Sequence, residues 1–197
     1  MAVRRIGKMC TDATAFLLCD IQEKFRPSIA YFPEICVVAE RLITAANTLK
    51  IPLVATEQYP KGLGHIVPEL DVTNATVFEK TLFSMATPEV INHLKDKRPD
   101  LKSVVLFGLE AHVCVQQTAL DFLEMGYDVH IVADSTSSRS MTDRMIAFER
   151  IRQSGGFITT SESLLFLLLQ DAKHPNFREL QKLIMESSPY QGLVPKL

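Results

Sequence analysis

The chain has 197 residues, 47% of them hydrophobic and 22% charged, with a net charge of −2. That length suits one large domain with a substantial core. It carries no basic stripe or acidic tail, and its longest apolar run, Leu164 to Leu169, is far short of the ~20 residues of a membrane span, so neither nucleic acid nor membrane is an expected partner.

The first twelve residues are basic until Asp12 and read as a flexible tail. "TAFLLCD" (14–20) is a continuous apolar strand that closes on Asp20. "PEICVVAERLITAANTLK" has apolar residues at helical spacing and Pro33 near its start. "IPLVATEQ" (51–58) is the second strand, followed by the Gly/Pro-rich loop "YPKGLGHIVPEL". "ATVFEK" (75–80) is a weaker third strand ending on Lys80, and "TPEVINHLKDK" a helix capped by Thr87. "SVVLFG" (103–108) and "DVHIVAD" (128–134) are the clearest strands; between them a helix begins near Cys114 and stops at Gly126. "SMTDRMIAFERIRQSGG" is a helix with Ser140 as its cap, "GFITTS" a sixth strand, and two helices close the chain.

Strands alternating with helices predict one α/β domain, residues 1–197, built on a six-stranded parallel sheet covered by helices on both faces. With strand order 3-2-1-4-5-6, strands one and four are neighbours at the point where the order reverses. Asp20 and Cys114 then face each other across the crevice, and Lys80 ends a strand on the same edge. Singly, each has an ordinary explanation. A cysteine near a helix start is commonly a small buried hydrophobe, an aspartate after a strand a cap, and a lysine a solvated charge. Jointly they make a coherent nucleophilic site: Asp20 takes the thiol proton, Lys80 orients the carboxylate, and Cys114 attacks an electrophilic carbon.

The four cysteines, Cys10, Cys19, Cys36 and Cys114, have neither disulfide-framework nor zinc-ligand spacing. Free thiols point to a reducing, cytoplasmic compartment. The basic start is a faint hint of mitochondrial import, and Pro195-Lys196-Leu197 loosely resembles a peroxisomal address.

Several of these stretches resemble the isochorismatase-like cysteine hydrolase superfamily. "FLLCDIQEKF" is similar to its first strand and aspartate, "FEKTLFSM" to its lysine strand, and "GLEAHVCVQQTALD" to its nucleophile turn. "IAYFPEI", "TEQYPKGLG" and "DSTSSRS" resemble the eukaryotic isochorismatase domain-containing branch. The resemblance covers nearly the whole chain. It implies a three-layer Rossmann-like fold, a catalytic triad of Asp20, Lys80 and Cys114, and a homo-oligomer, dimer or larger. It also implies a cis peptide by position at Leu109–Glu110, with the N–H groups of Glu110 and Cys114 forming an oxyanion hole. Gln22, Phe25, Gln58, Tyr59, Phe83, His112 and Val113 are the candidate substrate contacts, with core packing open beside that role for the aromatics and a solvent-facing position for His112. The Glu110 carboxylate, which would oppose a thiolate, is expected to point away or to pair with a base.

The Asp-x-His metal motif of the superfamily's nicotinamidases is absent from "ATEQYPKGLGH", and His65 reads as a loop residue, so neither metal nor other cofactor is expected. The leading reading is hydrolysis of a small amide or related C–N bond through a covalent Cys114 intermediate. Vinyl-ether hydrolysis with Asp20 as acid, and a non-catalytic redox-sensing or binding protein with a reactive thiol, remain open beside it.

Overall fold

Successive side chains of a strand point to opposite faces of its sheet, and the first strand divides the apolar residues of this chain between two layers. The computed structural model describes residues 6–193. Six strands run in the order β1 (Thr14–Cys19), β2 (Leu53–Gln58), β3 (Thr76–Lys80), β4 (Ser103–Gly108), β5 (Asp128–Thr136) and β6 (Phe157–Thr159). All pair in parallel, and their spatial order is β3-β2-β1-β4-β5-β6. Every residue of β1, β2 and β4 is buried, which is why these strands read as continuous apolar runs. β3, at an edge, is only half-buried, hence its weaker signal.

The helices are α1 (Phe32–Leu49), α2 (Pro60–Leu63), α3 (Pro88–Lys97), α4 (Gln116–Glu124), α5 (Met141–Gln153), α6 (Ser161–Leu169) and α7 (Phe177–Ile184). Phe16 and Leu18 of β1 join a core layer with α1, α6 and α7. Ala15, Leu17 and Cys19 join the opposite layer with α3, α4 and α5. The Leu164–Leu169 run is part of α6, whose Leu164, Leu165, Leu168 and Leu169 enter the first layer. No helix among the described residues is long and apolar enough to cross a membrane.

Thr87 and Ser140 cap their helices, accepting hydrogen bonds from Val90 N (3.4 Å) and Asp143 N (3.0 Å). Buried Arg144 donates to Ala133 O and Gln191 O, both at 2.8 Å, and so ties the end of the described chain to β5.

The structure differs from the sequence reading in four places. Residues 6–12 do not trail as a tail: Met9 is buried and its carbonyl accepts a hydrogen bond from Gln170 Nε2. Its burial outweighs the charge of the flanking bases. The loop after β2 contains the short α2. β5 runs two residues past Asp134, because a register shift lets Thr136 pair with Gly108. Cys114 lies inside a π turn, Ala111–Val115, rather than at the start of α4. The first five residues and the Pro195-Lys196-Leu197 ending lie outside the described residues.

Two residues make this packing testable. His130, on β5, is 2% exposed, stacks on Phe157 at 4.9 Å, and has no partner for Nε2. Burial lowers its pKa to about 4. The unfolded chain therefore takes up this proton near pH 6.5 while the native state resists it, so stability falls as pH drops from about 6.5 to about 4. His130→Phe should remove on the order of 3 kcal/mol of that slope in urea titrations at graded pH. Unchanged pH dependence would contradict the buried neutral ring. Gly108 sits at φ 120°, and a Cβ there would lie 2.1 Å from Cys19 O. Gly108→Ala should cost more than about 3 kcal/mol by urea denaturation.

Candidate active site

β1 and β4 are neighbours, and their connections leave in opposite directions, so a crevice opens at their carboxyl ends. Asp20 follows β1 with φ 49°, an uncommon value for a residue other than glycine. Strand alternation would put Cys19 and Asp20 on opposite faces, but this turn brings Asp20 Oδ2 to 3.5 Å from Cys19 Sγ. Lys80, the last residue of β3, reaches under β2 to place Nζ 2.7 Å from Asp20 Oδ2, with both side chains essentially sealed from solvent.

The ammonium also donates to Gln58 Oε1 (2.7 Å), Phe83 O (3.0 Å) and Leu82 O (3.2 Å). The carboxylate accepts from Thr56 Oγ1 at 2.7 Å. Burial alone would lower the Lys80 pKa, but Cys19, Asp20 and Cys114 act against it and hold the pKa above its ordinary value. Asp20 and Lys80 therefore meet directly, and the sulfurs of Cys19 and Cys114 favour the charged ammonium. Cys114 and Cys19 are both buried in the layer of α3, α4 and α5. Burial, hydrogen bonding with Cys114 and the Asp20 charge push the Cys19 thiol pKa well up.

The turn carrying Cys114 is fixed from several sides. Leu109 N donates to Cys19 O at 2.8 Å, the Leu109–Glu110 peptide is cis, and Ala111 N donates to Ser137 O at 2.8 Å. Thr118 Oγ1 donates to Cys114 O (2.7 Å) and accepts from Met85 N (2.8 Å), joining this turn to the loop after Lys80. The Glu110 carboxylate is buried and pairs with Arg139, whose Nε is 3.4 Å away and whose backbone N–H is at 3.3 Å. It is thus paired with a base.

Of the other expected contacts, Gln58 and Phe83 adjoin the site, one through its amide and the other through its carbonyl; the Phe83 ring is exposed. Tyr59 is exposed and lines a cavity of about 380 Å³ with Pro60, Lys61, Glu79, Lys80 and Thr81. His112 is half-buried, its Nδ1 3.0 Å from Ser138 Oγ, and Val113 packs on the layer containing Cys114. Two expectations need correction. Gln22 is fully buried, with its amide spent on Gln58 N, Gln58 O and Gly64 O, so it staples the loop after β2 and offers a ligand nothing. Phe25 belongs to the opposite core layer, with α1. A glutamine near a strand end and an aromatic in a short turn look alike in sequence whether they face a cleft or the interior.

Thr56 and Thr118 escaped the sequence reading, since polar residues in strands and helices carry no periodic signal, whereas Ser138 and Arg139 lie in the "DSTSSRS" turn quoted above. His65 is exposed and meets Glu57 Oε2 at 3.0 Å, while Glu57 Oε1 accepts from Ile66 N. Both carboxylate oxygens are thus engaged by the loop, and no three His, Cys, Asp or Glu side chains among the described residues form a metal-binding group.

The ion pair is testable without a substrate. Lys80→Met should destabilise by roughly 3–5 kcal/mol, because it leaves Asp20 charged, buried and without its cation, and adding Asp20→Asn should recover part of the loss. Urea denaturation of both single variants and the double variant checks this; strictly additive losses would contradict it.

The family model described as the isochorismatase domain matches residues 14–163. Isochorismatase domain-containing protein 2 of Xenopus laevis is 54% identical over 193 residues, spanning 98% of this chain and 94% of that protein. Isochorismatase domain-containing protein 1 of Danio rerio is 52% identical over 198 residues, spanning 100% of this chain and 70% of that protein. Among solved structures, the MAR1 ribonuclease of Caenorhabditis elegans superposes with a TM-score of 0.91 at 48% identity, covering 96% of this chain and 98% of that one. With these matches across its length, the chain belongs to the isochorismatase domain family and has the family's hydrolase fold.

Proposed function

We propose that this chain hydrolyses a small amide or related C–N bond through a covalent Cys114 intermediate. The observation that carries the reading is the buried Asp20–Lys80 pair, 2.7 Å apart and electrostatically linked to the Cys114 thiol at the sheet's switch point. Asp20 accepts the thiol proton, and the sulfur attacks the carbonyl carbon to give a tetrahedral oxyanion. The Glu110 N–H, which has no protein acceptor among the described residues, and the Cys114 N–H are the donors for that oxyanion. Asp20 then protonates the departing nitrogen, leaving a thioester. Water, deprotonated by Asp20, opens it to an acid and restores the thiol. Lys80, held by Gln58 and two carbonyls, orients the carboxylate and favours its charged form after each transfer.

The cavity that Tyr59 lines reaches Lys80 and is the route of access in this reading. The exposed Met145 and Ile146 on α5 support docking of a second copy, and the oligomer is therefore part of the proposal.

The name of the ribonuclease neighbour supports a second reading, in which RNA is the substrate. The near-zero net charge and a cleft built around a single sealed ion pair speak for the small uncharged electrophile. Incubating the protein with an amide library and, in parallel, with single-stranded RNA separates the two. We expect an acyl adduct on Cys114 by mass spectrometry and a loss of at least ~10³-fold in kcat/KM for Cys114→Ala. Equal turnover by Cys114→Ala, with loss in Asp20→Ala, would instead identify acid catalysis of the vinyl-ether type. RNA cleavage without an adduct would identify the nuclease.

A further inference from the structure

Cys19 has no role in the hydrolysis proposed above, yet it lies inside the same site. It is fully buried at the end of β1, with Sγ 3.5 Å from Asp20 Oδ2, and it shares one buried layer with Cys114, which helps push the Cys19 thiol pKa up. The arrangement is built by the backbone. Cys19 is in register with Gly108, and its carbonyl receives the Leu109 N–H, so the chain crosses directly above it before turning to Cys114. Gly108 supplies the clearance, because any side chain there would strike Cys19 O. The remaining cysteines are elsewhere: Cys10 is exposed, and Cys36 is on α1 in the opposite layer.

Two thiols in one buried site, one of them the nucleophile of the hydrolysis proposed above, have a defined response to an oxidant. We propose that a hydroperoxide converts Cys19 and Cys114 into an intramolecular disulfide, a reversible modification that withdraws the nucleophile and spares it from over-oxidation. This goes beyond the proposed hydrolysis and shares with it only the reactivity of the Cys114 thiol.

In the first step the Cys114 sulfur, as thiolate, attacks the terminal peroxide oxygen. The O–O bond breaks, the sulfur becomes a sulfenic acid, and the alkoxide leaves as an alcohol after taking a proton. In the second step Asp20 removes the Cys19 proton and the Cys19 sulfur attacks the sulfenic sulfur. The S–S bond forms, the S–O bond breaks, and the hydroxide leaves as water with the proton from Asp20. Overall, two thiols and one hydroperoxide give a disulfide, an alcohol and water. A cysteine at position 19 is required because the sulfenic acid otherwise meets more peroxide and passes to the sulfinic acid, which ordinary thiols do not reduce.

The test uses the full chain and hydrogen peroxide, followed by thiol blocking, proteolysis and mass spectrometry. The expected product is a Cys19–Cys114 cross-linked peptide pair that dithiothreitol reverses. In Cys19→Ala and Cys19→Ser the cross-link should be absent, with dimedone-trapped sulfenic acid and several-fold more sulfinic acid on Cys114. No cross-link in the wild type, pairing of Cys114 with Cys10 or Cys36, or equal sulfinic acid in wild type and variants would overturn the proposal; the wild-type readout does not depend on how the variants fold. Adduct formation from an amide on reduced Cys114 is scored separately. An adduct without a cross-link overturns the disulfide alone, and a cross-link without an adduct supports the disulfide while overturning the amide hydrolase.

Discussion

A lysine and an aspartate, both removed from water and 2.7 Å apart, are the constraint around which this end of the molecule is arranged. Taking either charge out of water costs several kcal/mol, and a buried pair recovers this only when its remaining hydrogen-bonding positions are filled. Here they are. The ammonium has three protons and four oxygen acceptors within reach, and the carboxylate has the ammonium, the Thr56 hydroxyl and the Cys19 thiol. The four acceptors come from three pieces of chain, so the pair forces β2, the loop after β3 and the end of β1 into one geometry. Replacing such a pair with well-packed apolar residues is commonly neutral or stabilising. Its presence next to two thiols is therefore better explained by chemistry than by stability.

The same end of the sheet is tightened by backbone. Gly108 lets β4 pass over Cys19 O, the chain turns back through Leu109 and Glu110, and a π turn delivers Cys114 ahead of α4. Thr118 then links the carbonyl of Cys114 to the loop beyond Lys80. Glu110, which would oppose an anionic sulfur if it faced inward, is held on Arg139 instead. The electrostatics of the crevice are thus one cation against a carboxylate and two ionisable sulfurs, in a setting where low polarity strengthens every term.

The fold was legible because burial on both faces makes strands such as Phe16–Cys19 and Val104–Phe107 uniformly apolar, and because Thr87 and Ser140 announce their helices with side-chain caps. The Asp20–Lys80 pair was legible because each residue stands at the carboxyl end of a strand, and the strand order gathers those ends along one edge. Gln22 was misread, and Phe25 took its packing alternative, since position after a strand does not reveal whether a side chain faces the cleft, the backbone of a loop or the far core layer. Thr56 and Gln58 lie on the same strand and take up different partners of the ion pair, Thr56 holding the carboxylate and Gln58 the ammonium, which no pattern of hydrophobicity encodes.

By itself, the sequence determined the alternation of strands and helices, the two-sided burial of the sheet, and which acid and amine could meet, since these depend on local periodicity and on the strand order that such periodicity favours. Tertiary structure alone decided that Cys19 shares the site. Alternation separates neighbouring side chains on a strand, and the left-handed turn at Asp20 folds its carboxylate onto the Cys19 thiol, while Gly108 at the end of β4 clears the Cys19 carbonyl. Those are dihedral angles and clearances set by the packing of distant segments, and a linear sequence carries no periodic trace of them.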